Sequence, residues 1–173
     1  MANYLDLAGR KIVNRLFLQF MLICLVLFFS LTKLQAQGPI LLEKYLIDEG
    51  AENTEYLQTL LYDNVPAILI SSEGIQEVRS GYPQRASVDA PQLGSISNGD
   101  DLFRTVKLLQ INLNRSQDKS AIQLTPDLLG NFFNLNYVLI NSTVPLTQSE
   151  VAAMFTGFEE GQYVILFTIN SIM

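Results

Sequence analysis

The stretch NLNYVLINST, residues 134–143, decides the fold class, because its uninterrupted apolar centre is typical of a buried β-strand. Similar stretches are LFRTVKLLQINLN at 102–114 and GQYVILFTINSIM at 161–173. Between these three lie LTPDLLGNFF at 124–133 and LTQSEVAAMFTGF at 146–158, and each begins with the residues of a helix start. Strands that alternate with helices indicate βαβ units. The sequence therefore predicts an α/β fold, in which a small, mainly parallel sheet of about four strands packs against helices.

The two predicted helices between these strands carry specific start signals. In the first, Thr125 is the expected cap, Pro126 suits the first helical position and Asp127 meets the positive end of the helix dipole. In the second, Thr147 and Glu150 have the spacing of a capping box. Both segments are therefore predicted to be α-helices that cross back over the sheet.

Two further helices are predicted ahead of these strands. In GPILLEKYLIDEG, residues 38–50, Pro39 suits the first helical position and Gly50 the end. In NTEYLQTLLYD, residues 53–63, Asn53 is the expected cap and leucines recur on one face.

A hairpin and a loop are predicted to follow. Residues 67–71 read as a strand, and Glu73 with Gly74 would form the turn to a second arm at 75–79. The stretch GYPQRASVDAPQLGSISNGD, residues 81–100, is rich in proline and glycine and has little periodicity. It predicts a flexible loop.

A pattern of apolar, apolar, Ile and Asn recurs with a spacing of 29 residues in the three strands. It indicates either a structural repeat or three ordinary buried strands of one α/β layer. The asparagines of the pattern either form a polar row at one end of the sheet or cap separate turns. The matching positions are Val106, Leu109, Ile111 and Asn112; Leu135, Val138, Ile140 and Asn141; and Val164, Phe167, Ile169 and Asn170.

Over residues 102–173 this pattern resembles the strand segment of leucine-rich repeats, and the first copy continues to the expected asparagine at Asn114. The later copies have Thr143 and Ile172 at that position, so the resemblance does not extend to a repeat horseshoe. The chain also resembles short exported bacterial proteins of unassigned function. The segments that carry this second resemblance, which implies export and no particular activity, are LFRTVKLLQI, FFNLNYVLI and YVILFTI.

The first 36 residues read as a secretory signal peptide. Arg10, Lys11 and Arg15 precede an apolar run, and Ala36 offers a small residue at a cleavage site. Alternatively, residues 16–32 remain as an N-terminal membrane anchor, with the basic residues holding the N-terminus in the cytoplasm. In both cases residues 37–173 are predicted to be a single α/β domain in the periplasm, in the cell envelope or secreted.

The composition of residues 37–173 excludes several chemistries. This part has seven basic and sixteen acidic residues, a net charge of −9, so no nucleic-acid partner is expected. It has no histidine and no cysteine, because the chain's one cysteine, Cys24, lies in the apolar run. A Ser-His-Asp relay, a cysteine nucleophile and an ordinary zinc site are therefore excluded, and no phosphate-binding loop motif is present.

Carboxylates are the remaining candidates for catalysis. Asp100 with Asp101 and Glu159 with Glu160 are adjacent acids. The first pair is better read as a helix or turn cap and the second as a solvated loop than as a general acid and base. The stretch SNGDD, residues 97–101, has oxygen ligands for calcium but no known loop spacing. The sequence predicts no catalytic, cofactor-binding or metal-binding residues.

The leading prediction for function is an exported, non-enzymatic binding module with an unknown envelope or extracellular ligand. The alternatives are a carboxylate-based extracellular hydrolase and a membrane-tethered envelope component.

Overall fold

The computed structural model describes residues 38–98, 101–159 and 161–170, and these form one seven-stranded sheet. The order across the sheet is β1-β7-β6-β5-β4-β2-β3, and every neighbouring pair is parallel except the hairpin of β2 and β3. The mainly parallel α/β fold is confirmed, whereas the predicted number of about four strands was too low. The predicted signal or anchor segment lies outside the described residues. The strands are β1 (Ile40–Leu41), β2 (Ala67–Ser71), β3 (Gly74–Val78), β4 (Arg85–Asp89), β5 (Leu108–Leu113), β6 (Tyr137–Ser142) and β7 (Val164–Ile169).

The helices of the described residues are few. They are α1 (Leu42–Tyr62), α2 (Gln148–Ala153) and three 3₁₀ helices at Ala90–Asn98, Asp101–Thr105 and Ser116–Ala121. Connections between the parallel strands are therefore mostly 3₁₀ helices and turns, and α2 is the α-helix that lies between β6 and β7.

Helix α1 is a helical hairpin. Gly50 interrupts it with φ 76° and ψ 164°, a backbone conformation that is essentially confined to glycine. A straight helix of 21 residues would be about 30 Å long, yet Leu42 and Tyr62, its first and last residues, line the same crevice. The chain therefore reverses at Gly50, which confirms the predicted helix end there. Asn53 was wrongly predicted as a cap, because its side chain donates to the carbonyl oxygen of Glu49 at 3.0 Å.

The larger hydrophobic core lies on the sheet face away from α1. One row across this face joins Ile70, Val88, Ile111, Ile140 and Phe167, all buried and in register on neighbouring strands. The connections that follow β4, β5 and β6 cover it.

The second core lies beneath α1. Leu57 and Leu60 of its second arm are fully buried, and they belong to one cluster with leucines on the central strands and β7. Burial of each such leucine contributes roughly 1.5–3 kcal/mol. The strand leucines are Leu108, Leu139 and Leu166.

Arg85 fixes the end of α1 on the sheet. This first residue of β4 donates from Nη1 to the carbonyl oxygens of Leu60 and Leu61, both at 2.9 Å. A cation at the C-terminus of a helix satisfies carbonyl groups that have no partner within the helix.

The spacing of 29 residues is the register between β5 and β6, where Asn112 pairs with Asn141. Between β6 and β7 the register differs, because Asn141 pairs with Thr168. Asn170 therefore lies two residues further along, and a shift of two residues keeps its side chain on the same face of the sheet.

The predicted flexible loop over residues 81–100 is wrong for residues 85–98. Residues 85–89 form β4, a central strand in which Ala86 and Val88 are fully buried, and a 3₁₀ helix follows directly. The strand was missed because its two buried residues are small and are separated by polar residues. Strand β1 was also missed, since a strand of two residues leaves no pattern.

The predicted helix over residues 124–133 is a single turn. Its start signals act locally, because the backbone N–H of Leu128 donates to Thr125 Oγ1 at 3.3 Å. The helix does not continue, and Leu124 instead pairs through its backbone with the segment after α2: its N–H donates to Met154 at 2.7 Å, and its carbonyl accepts from Thr156 at 3.0 Å.

The predicted capping box is confirmed. Thr147 Oγ1 accepts from the Glu150 backbone at 3.3 Å, and the Glu150 carboxylate accepts from the Thr147 backbone at 2.8 Å. Lys119 donates to the same carboxylate at 2.7 Å. The hydrogen bond from Lys119, followed by those from Thr147, lowers the pKa of Glu150 to about 2.

Candidate ligand-binding site

The sheet face beneath α1 divides into an apolar half and a polar half. Toward the starts of β5, β6 and β7 this face carries leucines, which α1 covers. Toward the carboxyl ends of β4 to β7 the same face carries hydroxyl, amide and carboxylate groups. Because these strands are parallel, the polar groups lie together at one end of the sheet. The polar residues are Ser87, Asp89, Gln110, Asn112, Asn141, Thr168 and Asn170.

Three asparagines form a continuous hydrogen-bonded amide row across β5, β6 and the end of β7. Asn170 Nδ2 donates to Asn141 Oδ1 at 2.7 Å, and Asn141 Nδ2 donates to Asn112 Oδ1 at 3.3 Å. Asn112 Nδ2 then donates to Ser87 Oγ at 3.0 Å and to Asp89 Oδ1 at 3.4 Å. Of the two predicted alternatives for these asparagines, the polar row is confirmed, and it ends on the Asp89 carboxylate.

The three asparagines of the amide row differ in how many hydrogen-bonding positions of their side chains are still open to a ligand. Asn112 also accepts from Gln110 Nε2 at 2.8 Å, so it uses both donor and both acceptor positions of its carboxamide. Among the described residues, Asn141 uses one donor and one acceptor position, and Asn170 uses one donor position. The outer part of the row therefore keeps both donors and acceptors for a ligand.

One end of the row forms the floor of what we call the tyrosine crevice, a cleft with a volume of ≈ 220 Å³. Both ends of α1 form its wall. Tyr62 stands at the rim with 69% of its surface exposed. Glu43, in the first turn of α1, accepts from Thr168 Oγ1 at 2.8 Å and so joins the helix to the floor. The lining residues are Leu42, Glu43, Leu61, Tyr62, Gln110, Leu139, Asn141, Thr168 and Asn170.

The other end of the row opens into the aspartate crevice, a cleft of ≈ 240 Å³. Arg115 is the one cation among its described lining residues, and it binds the Asp118 carboxylate through two hydrogen bonds of 2.8 Å and 3.2 Å. Asp89 remains as a carboxylate without a cation among the lining residues, so this crevice disfavours anions. The lining residues are Ser72, Asp89, Pro91, Gln92, Asn112, Asn114, Arg115 and Asp118.

The carboxylates that the sequence singled out do not lie at the amide row. Asp101 is exposed and pairs with Arg104 at 3.2 Å, and Glu159 is also exposed. Asp100 and Glu160 lie outside the described residues, as does part of the 97–101 stretch. Within residues 38–98, 101–159 and 161–170, no three acidic side chains come together in a way that could hold a metal ion.

A third cleft, of ≈ 450 Å³, lies at the opposite ends of the strands, next to the residues that precede β4 and β5. Tyr82 and Arg104 line it, and the Arg104 guanidinium lies 5.2 Å above the ring of Phe133. The described residues that line this cleft form no organised polar row.

Sequence reasoning found the three asparagines but missed their partners. The spacing of two residues between Gln110 and Asn112 places both on one face of β5, and Ser87 and Asp89 repeat that spacing on β4. The spacing of two residues could have identified Gln110 on β5. The same spacing on β4 could not be used, because the sequence analysis did not recognise that strand.

Comparisons with protein-family models, curated proteins and solved structures gave no significant match to this chain. Over the described part of the chain, no helix has both the length and the apolar character needed to span a bilayer. The architecture is that of an α/β domain with a half-open polar groove at the carboxyl ends of its parallel strands.

Proposed function

We propose that this protein is an exported, non-enzymatic binding module that holds an uncharged polar ligand along the amide row. The observation that carries the proposal is the incomplete hydrogen bonding of Asn141 and Asn170 on the floor of the tyrosine crevice. Polar groups that converge in a concave site fix a ligand's orientation.

The fixed geometry of the row supports binding. Asn141 is held on one side by Asn112 and on the other by Asn170, and Asn112 is itself held by four hydrogen bonds. The amides are thus oriented before a ligand arrives, which reduces the entropy cost of binding.

The test is a capture experiment with the immobilised full chain and an extract of the cell envelope. Asn141→Leu removes the half-buried amide of the row and should abolish recovery of the bound component. Gln76→Leu, on the exposed strand β3, makes the same kind of exchange away from the site and should leave recovery unchanged. Equal recovery with Asn141→Leu and the natural chain would refute the proposal.

One observation favours a second candidate, the carboxylate-based hydrolase. Asp89 and Asp118 line the same crevice, although Arg115 occupies both oxygens of Asp118. Such an enzyme would convert the captured material, and Asp89→Asn would stop that conversion. If the captured ligand does not change chemically over time, the hydrolase is refuted and binding is the activity.

Export and tethering are distinguished by the mass of the natural product. Loss of residues 1–36 indicates a cleaved signal, whereas an intact N-terminus indicates a membrane-tethered component held through residues 16–32.

A further inference from the structure

We infer that the ligand of the tyrosine crevice is a single neutral pyranose ring, either a free sugar or one unit of a saccharide. This inference rests on the proposed function, since it names the ligand class for the same site. Three properties of the crevice lead to it: its paired donors and acceptors, its apolar wall and its charge.

The hydrogen-bonding groups match hydroxyls. Each ligand hydroxyl donates one hydrogen bond and accepts others, so it needs neighbouring donors and acceptors. Asn141 offers both an N–H and a carbonyl lone pair, and Asn170 and Gln110 add further amide groups on the same floor. A ligand with acceptors alone would leave the open acceptor positions of these amides unused.

The wall matches the less polar side of a sugar ring. A pyranose has C–H groups on its faces and hydroxyls at its edge. The partly exposed Leu61 gives the crevice apolar surface, with the largely buried Leu42 and Leu139 behind it, and the Tyr62 ring stands at its rim. Aromatic rings combine a flat apolar surface with a small loss of side-chain entropy, which suits them to stacking on such C–H groups.

The charge and the volume of the crevice restrict the class of sugar that it can bind. Among the described residues that line the crevice, Glu43 is acidic and none is a lysine or an arginine. Phosphorylated and acidic sugars are therefore disfavoured. The volume of ≈ 220 Å³ lies below the range of sites for drug-sized ligands, about 300–1,000 Å³, so the crevice accepts about one ring.

The experiment is saturation-transfer NMR on the full chain, in a detergent whose head group is not a sugar. The probes are glucose, galactose, mannose and N-acetylglucosamine, with glucose 6-phosphate and a short neutral peptide as comparisons. At least one neutral sugar should bind, with a roughly millimolar dissociation constant. Protons on one face of its ring should receive the strongest transfer, because they lie on Tyr62.

Two tyrosine variants test the geometry. Tyr62→Ala should weaken sugar binding about three- to tenfold, the range expected for an aromatic contact. Tyr56→Ala is the matched control, because Tyr56 lies on the same arm of α1, is exposed and does not line the crevice. Tyr62 is 69% and Tyr56 43% exposed, so both variants should stay folded, which their urea unfolding transitions check.

The outcomes separate the two proposals. If no neutral sugar binds, or if binding is unchanged in Tyr62→Ala, the sugar inference is wrong. If capture of an envelope component nevertheless depends on Asn141, the proposed binding site is retained and its ligand belongs to another class. If the peptide or glucose 6-phosphate binds better than every neutral sugar, the inference is also overturned.

Discussion

Alanine substitutions along the amide row should destabilise the fold by amounts that decrease from Asn112 to Asn170. Asn112→Ala removes two short hydrogen bonds, of 2.8 Å and 3.0 Å, and two long ones, of 3.3 Å and 3.4 Å. A net hydrogen bond contributes about 1 kcal/mol, and long bonds contribute less, so the expected loss is about 2–3 kcal/mol.

Substitution of Asn141 or Asn170 should lower the free energy of unfolding less than substitution of Asn112. Asn141→Ala removes one bond of 3.3 Å and one of 2.7 Å, and one of the partners is the exposed Asn170. Solvent replaces part of that interaction, so the expected loss is about 1 kcal/mol. Asn170→Ala removes one bond at an exposed chain position and should cost about 0.5 kcal/mol or less.

Urea unfolding at pH 7 measures this gradient, with equal m-values as the sign that only stability has changed. A double-mutant cycle between Asn112 and Asn141 should give a coupling energy of about 0.5–1 kcal/mol. The matched pair Asn112 and Asn134 should be additive, because Asn134 donates to the Arg104 carbonyl and has no contact with the row. Equal losses at all three asparagines, or the largest loss at Asn170, would refute the reasoning.

Three further substitutions test other parts of the structure. Glu150→Gln keeps a capping side chain but removes the charge. Because the pKa of Glu150 is lowered to about 2 in the folded state, the natural chain's advantage in urea midpoint should be full above about pH 4.5 and should disappear as the pH falls to 2. Gly50→Ala should lower the free energy of unfolding in urea by about 1–3 kcal/mol, because a φ of +76° strains an alanine backbone even though the added Cβ meets no other atom. Gly94→Ala is the control: its Cβ also meets no atom and its φ is not positive, so it should be nearly neutral. Phe103→Ala should cost about 3–5 kcal/mol, since the ring is 1% exposed, whereas Phe133→Ala, at a ring that is 69% exposed, should lower the thermal midpoint far less.

The strands β2, β5, β6 and β7 could be predicted from their apolar residues and β3 from the turn before it, whereas β1 and β4 could not. β5, β6 and β7 each have six residues and a strongly apolar composition. β4 contributes only Ala86 and Val88 to the core, and its polar residues serve the helix end and the amide row. Those roles depend on tertiary contacts, which local patterns do not contain.

The segment after Thr125 shows how tertiary contacts can overrule local signals. Its cap and its proline favour a helix, but Leu124 pairs by backbone with the chain near Phe155, and this pairing sets the direction of the segment. Helix propensity is a weak preference that such contacts routinely override.

The candidate site could be predicted in part. The common spacing identified the three asparagines, and parallel strands bring such residues to one end of a sheet. The wall of the crevice could not be predicted, because Tyr62 reaches it only through the reversal at Gly50 and the path of α1 over the sheet.

The pairing of β1 with β7 has a consequence for folding. Ile40 lies beside Leu166, and Glu43 bonds to Thr168 over a separation of 125 residues. Closing so long a segment carries a large entropy cost before any contact compensates for it, and contacts of this kind slow folding. During synthesis the first strand must therefore wait, unpaired, until the last strand has been made, and the crevice wall is completed only at that final step.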